Sequence, residues 1–98
     1  MGKKYYAAIV RTKSFTREHN RSRKWEENAI EEETYPVQLS TINDWDDEET
    51  IKRKIAHQLG NRVHCTGVQI NNRIMLEYSF NYQEINPTEY RSLGRKNY

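Results

Sequence analysis

Over much of this chain apolar and polar residues alternate with the two-residue period of strands, and one stretch switches to the four-residue spacing of a helix. Tyr5-Tyr6-Ala7-Ala8-Ile9-Val10 is apolar at every position, as expected of a strand covered on both faces or lying centrally in a sheet. Tyr35, Val37 and Leu39 alternate with Pro36, Gln38 and Ser40, which predicts a half-buried second strand whose first residues tolerate proline. Ile74, Leu76, Tyr78, Phe80 and Tyr82 alternate without a break, and the run before them also reads as strand. Together they predict a hairpin.

The helical spacing falls on Ile51, Ile55 and Leu59, predicting a helix over 47–59 with those three residues as its buried stripe. Asp46 or Asp47 is placed to cap the free N–H groups, Glu48 and Glu49 face the positive end of the dipole, and Gly60 is placed to stop the helix in a left-handed conformation. Trp25 and Ala29, with Ile30 adjacent, suggest a short second helix near 23–33. Residues 12–24 are polar and basic around the single large apolar Phe15 and read as a mobile loop, and 86–98 reads as a frayed tail.

Register in the hairpin can be argued from phase. Val63 and Cys65 share one phase and Val68 and Ile70 the other, so a bulge at Thr66-Gly67 is expected. An even Asn71-Asn72 turn would put the apolar residues of the two strands on opposite faces. A three-residue loop, Asn71-Asn72-Arg73, would instead set Ile70 opposite Ile74, Val68 opposite Leu76, Cys65 opposite Tyr78 and Val63 opposite Phe80. The expected fold is therefore α+β: a four-stranded, mainly antiparallel sheet ordered β-β-α-β-β along the chain, with one helix packed on one face.

Composition narrows the class. A length of 98 residues fits one domain, and 35% hydrophobic against 31% charged residues implies a small core under a heavily ionised surface. Seven Tyr, two Trp and two Phe at a net charge of only +2 argue against disorder. The apolar run near the start is too short for a signal-peptide core or a bilayer span, and the single cysteine, Cys65, suits a reducing compartment. A cytoplasmic protein without membrane contact is expected.

Net charge hides a segregation into residues 1–24 at +7, residues 25–50 at −10 and residues 51–98 at +5. The basic stretch Arg11, Lys13, Arg17, Arg21, Arg23 and Lys24, interleaved with Phe15 and Trp25, has the charges and stacking groups that a nucleic-acid contact uses. Arg91, Arg95 and Lys96 are placed either to extend that patch or to fray. Asp44, Asp46, Asp47 and Glu48, with Glu49, form an acidic surface that reads first as helix capping. Its spacing is not that of a calcium-binding EF-hand loop.

His57, His64 and Cys65 lack the paired spacing of a zinc site, and neighbours on a strand point to opposite faces, so Cys65 is expected as a small core residue. Tyr78 and Tyr82 fall on the apolar face of the last strand, which leaves Tyr90 and Tyr98 as interface candidates. No phosphate-loop, dinucleotide, nucleophile-elbow or zincin pattern is present, and no catalytic residue, metal or cofactor is expected.

Segregated charge without a catalytic constellation favours recognition over turnover. The leading expectation is a non-enzymatic binding protein, an inhibitor or regulator of a nucleic-acid-processing assembly, whose partner is a protein or a protein–nucleic acid complex. A direct RNA- or DNA-binding module comes second and a metal-dependent nuclease using the carboxylates of 44–49 third. In size, charge density and lack of motifs the chain resembles, in general terms and at no specific residues, the small accessory proteins of phages and other mobile elements, some of which block host defence nucleases.

Overall fold

The all-apolar run at Tyr5–Val10 becomes an interior strand of the sheet. In the computed structural model, which describes residues 2–43 and 45–96, the chain order is β1 (Gly2–Thr16), β2 (Glu26–Ile42), α1 (Glu48–Leu59), β3 (Gly67–Asn71), β4 (Ile74–Ile85) and α2 (Pro87–Lys96). The four strands form one antiparallel sheet in the order β2-β1-β4-β3. At about 3.3 Å per residue the 15 residues of β1 span nearly the full 52 Å of the molecule's longest dimension.

Register assigns the faces, since directly opposed residues point the same way. Tyr6, Ala8 and Val10 share a face with Val37 and Tyr35 of β2 and with Tyr82 and Phe80 of β4. On that face α1 docks Ile55 and Leu59, both fully buried, among Tyr6, Ala8, Val37, Leu39, Ile42, Cys65 and Phe80. Each fully buried Ile or Leu contributes about 1.5–3 kcal/mol of hydrophobic free energy. Ile51 packs at the edge of the cluster, and the Tyr82 hydroxyl donates to the Glu48 carbonyl at 3.2 Å. Tyr5, on the opposite face, meets Tyr90 of α2 with ring centroids 4.8 Å apart.

Both helices thus cover the same end of a long sheet. No residue between Arg11 and Pro36, or between Thr66 and Ser79, is buried. The outer half of the sheet is a ribbon with both faces open to solvent.

Several expectations need correction. The stretch 23–33 holds no helix: 23–25 are irregular, and β2 begins at Glu26 and lies against β1, with Ile30 opposite Lys13 and Glu32 opposite Arg11. One turn of apolar spacing is a weak helix nucleus, whereas an edge strand tolerates a glutamate run because one side of it stays in water. The expected loop at 12–24 shrinks, because Thr12–Thr16 belong to β1. The expected tail at 86–98 is helical over Pro87–Lys96: the Asn86 carboxamide accepts from the Glu89 N–H at 2.8 Å, and Pro87 takes the first helical position.

The β3–β4 connection is an even two-residue turn, Asn72-Arg73, shifted one residue from the even turn weighed above, and Asn72 supplies its positive φ of 46°. It sets Ile70 opposite Met75 and Val68 opposite Glu77, so neither β3 residue reaches the core. No bulge is needed at Thr66-Gly67, because Val63 and Cys65 precede the strand. Gly60 closes α1 in the right-handed region at φ −62°, and glycine fits there because a Cβ would sit 2.9 Å from the Ala56 carbonyl oxygen.

Candidate macromolecule-binding surfaces

The loop from Arg17 to Trp25 and the Asn72-Arg73 turn meet at the free end of the ribbon because β1 pairs with β4 up to Thr16 opposite Ile74. Arg17 joins them. Its N–H donates to the Arg73 carbonyl at 3.1 Å, its Nε to the Asn72 carbonyl at 2.7 Å and its Nη1 to the Ser22 carbonyl at 3.3 Å. The guanidinium lies 4.4 Å from the Trp25 ring centroid, a cation–π contact. Arg73 answers with Nη1 to the Glu18 carbonyl at 3.3 Å. Within the loop, the Ser22 N–H donates to the His19 carbonyl at 3.0 Å.

This arrangement divides the six basic candidates. Arg17 is a staple whose donors point inward. Arg21 and Arg23 are exposed and make no ion pair among the described residues, and Lys24 has only a loose one to Glu26 at 3.8 Å. Arg11 sits at the base of the ribbon and gives both Nε (3.0 Å) and Nη2 (2.7 Å) to one Glu32 carboxylate oxygen, so its charge is paired within the fold. Lys13 shares that face, opposite Ile30 and Glu77. Arg91 and Arg95 lie on α2 at the other end and do not extend the patch. The tip gains instead Arg73, which sequence reasoning treated only as a turn residue.

The acidic candidates separate similarly. Asp46 is no open surface: its side chain is 7% exposed, accepts from Lys54 Nζ at 2.7 Å and from the Asn43 N–H at 3.0 Å, and these bonds hold its carboxyl below the ordinary range. Asp47 caps α1 by accepting from the Thr50 N–H at 2.8 Å, and bonds from Thr50 lower its carboxyl too. Asp44 lies outside the described residues. Glu48 stays exposed, as does Glu49, which is 3.9 Å from Arg53. The larger exposed acidic surface is one that sequence reasoning assigned to a helix: Glu26, Glu27, Glu31 and Glu33 along the outer strand β2. Glu33 accepts a hydrogen bond from the Tyr35 hydroxyl, which raises the phenol's pKa.

Cys65 is buried at 4% exposure, and burial pushes its thiol pKa up, away from the reactive thiolate. His64 lies on the surface instead, its Nε2 3.3 Å from Gln69 Nε2, and the Tyr78 hydroxyl donates to Gln69 Oε1 at 3.2 Å. Tyr90 is taken up by Tyr5 and is no free interface residue, while Tyr98 lies outside the described residues. Among the described residues, no three His, Cys, Asp or Glu side chains converge as a metal site, and no helix is long and apolar enough to cross a membrane. No protein-family model matches this chain, and neither does any curated protein or any solved structure.

Proposed function

We propose that this protein is a non-enzymatic binding protein that occupies a surface of a nucleic-acid-processing assembly, with the ribbon tip as its contact to the nucleic acid. One observation carries the reading: Arg21, Arg23 and Arg73 gather at one end of the molecule without carboxylate partners among the described residues, while the β2 glutamates run from Glu26, loosely paired with Lys24 beside the tip, along the sheet edge to Glu33. Charge left uncancelled and sorted in space orients a partner and speeds encounter. The Arg17 staple supports it, since a tip held by four polar and stacking contacts loses less freedom on binding than a loose loop. The β2 glutamates would face basic protein surface in the same assembly. A protein of this size that blocks a site without turnover would suit a phage or mobile element acting against a host nuclease in the cytoplasm.

A direct nucleic-acid module is the second reading, favoured by the arginine–tryptophan pairing at the tip. Fluorescence anisotropy with labelled 20-nucleotide single strands and duplexes separates the two. A module binds bare nucleic acid at physiological salt about as tightly as specific binders do, near 10⁻⁸ M or below, whereas an isolated tip gives only the 10⁻⁴–10⁻⁶ M range of non-specific contact. Reversal of Arg21, Arg23 and Arg73 to Glu is expected to abolish association with nucleic acid while leaving the fold intact. Unchanged association would reject both readings. The nuclease reading loses support because Lys54 and the α1 cap already engage the Asp46 and Asp47 carboxylates.

A further inference from the structure

The two edges of the sheet are defended unequally. β2 carries Glu26, Glu27, Glu31 and Glu33, all exposed, and contains Pro36, whose carbonyl accepts from Arg62 Nη2 at 3.1 Å. Charge, proline and a capped carbonyl are the usual means of blocking strand addition. β3, Gly67-Val68-Gln69-Ile70-Asn71, has none of them. It contains no charged residue and no proline, its only strand neighbour among the described residues is β4, and all five residues are exposed, Val68 at 55% and Ile70 at 62%.

We propose that β3 is a self-association edge and that its occupant is a second copy of this chain, paired antiparallel about a two-fold axis at Gln69. The strand's own pattern selects that occupant and that register. A two-fold at Gln69 opposes Val68 to the partner's Ile70 and Ile70 to the partner's Val68, two apolar cross-strand pairs on one face. Met75 and Phe15 continue the same face inward, one strand after another. Gln69 points the other way, where Tyr78 and His64 hold it. The antiparallel arrangement also sends the two basic tips to opposite ends of an eight-stranded sheet, so like charges stay apart. This inference is independent of the function proposed above.

Sedimentation velocity from about 10 µM to about 1 mM tests it, because mass action makes a self-associating species concentration-dependent. The wild type is expected to show a reversible monomer–dimer equilibrium. Val68→Lys with Ile70→Lys opposes like charges across the axis and is expected to weaken the dimer by about tenfold or more, whereas Val68→Lys with Ile70→Glu opposes unlike charges and is expected to restore it. Circular dichroism should show the same fold in all three, since the substituted side chains are exposed. A wild type monomeric throughout, a dimer that survives the double lysine change, or failure of the lysine–glutamate pair to restore association would each overturn the proposal. Hydrogen exchange on the wild type provides a test free of substitutions: β3 amides are expected to slow as concentration rises, and unchanged rates would count against the edge.

Discussion

The sharpest test of the tip is how its affinity depends on salt. Arg21 and Arg23 carry no ion pair among the described residues, Lys24 has only the loose one to Glu26 and Arg73 only a bond to a carbonyl, so these four are available to phosphates. Arg17 is engaged with carbonyls and Trp25, and Arg11 is paired with Glu32. Each phosphate neutralised changes the slope of log K against log salt by about 0.9 on duplex DNA and about 0.7 on single strands. The structure therefore predicts slopes of about −3.6 and −2.8, or losses of roughly 150-fold and 50-fold in affinity between 50 and 200 mM salt. Arg21→Ala with Arg23→Ala should reduce the duplex slope to about −1.8 and the loss to roughly 12-fold. Arg11→Ala should leave the slope where it was. Anisotropy titrations at five or so salt concentrations provide the measurement. A double variant with the wild-type slope, or an Arg11 variant that flattens it, would refute the assignment of free and internally paired cations.

Three further outcomes follow from the core and the helix cap. Ile55→Ala is expected to cost about 2–5 kcal/mol in urea unfolding, and a loss under about 0.5 kcal/mol would mean that this face of α1 is not buried. Cys65 should react with a thiol reagent only as fast as the protein opens, so rapid labelling under native conditions would contradict its burial. The Asp46 carboxyl is held low by Lys54, so its stabilisation is complete above the unfolded value of about 3.9 and is lost as pH falls through the lower folded value. Lys54→Met should flatten the fall in stability below about pH 4, and an unchanged pH profile would dismiss this bond as a source of acid sensitivity.

Where side-chain period and burial agree, the chain could be read directly. The Ile51, Ile55, Leu59 spacing yielded α1 and its buried stripe, and Tyr5–Val10 yielded an interior strand. The reading failed where a segment is stabilised from one side only. Glu26–Glu33 has no apolar alternation because, on the edge of a ribbon with both faces in water, β1 supplies the hydrogen bonds and no core selects its side chains. Asn86-Pro87-Thr88-Glu89 did carry a helix start, a capping residue followed by proline and then an acid, and charge in the rest of the segment obscured it. Of the basic site, the residue types were legible but their division was not. That Arg11 meets Glu32 and that Arg73 arrives beside Arg21 depends on strand register, which alternation alone does not determine.

The placement of the core at one end also shapes how the molecule unfolds locally. Helix-covered residues near Tyr6, Val37 and Ile55 can open only with the whole fold, whereas the ribbon from Arg11 outward is held by ladder hydrogen bonds, exposed ion pairs and side-chain hydrogen bonds, and the Arg17 junction. Amide exchange should therefore form a gradient along β1, slowest at Tyr6–Val10 and fastest toward Thr16, with the outer ribbon behaving as a separate cooperative unit. Such a unit can fray, bend or re-form against a partner at a cost well below that of global unfolding. The end of the molecule proposed to meet the partner is thus also the end that can adjust its shape without endangering the rest.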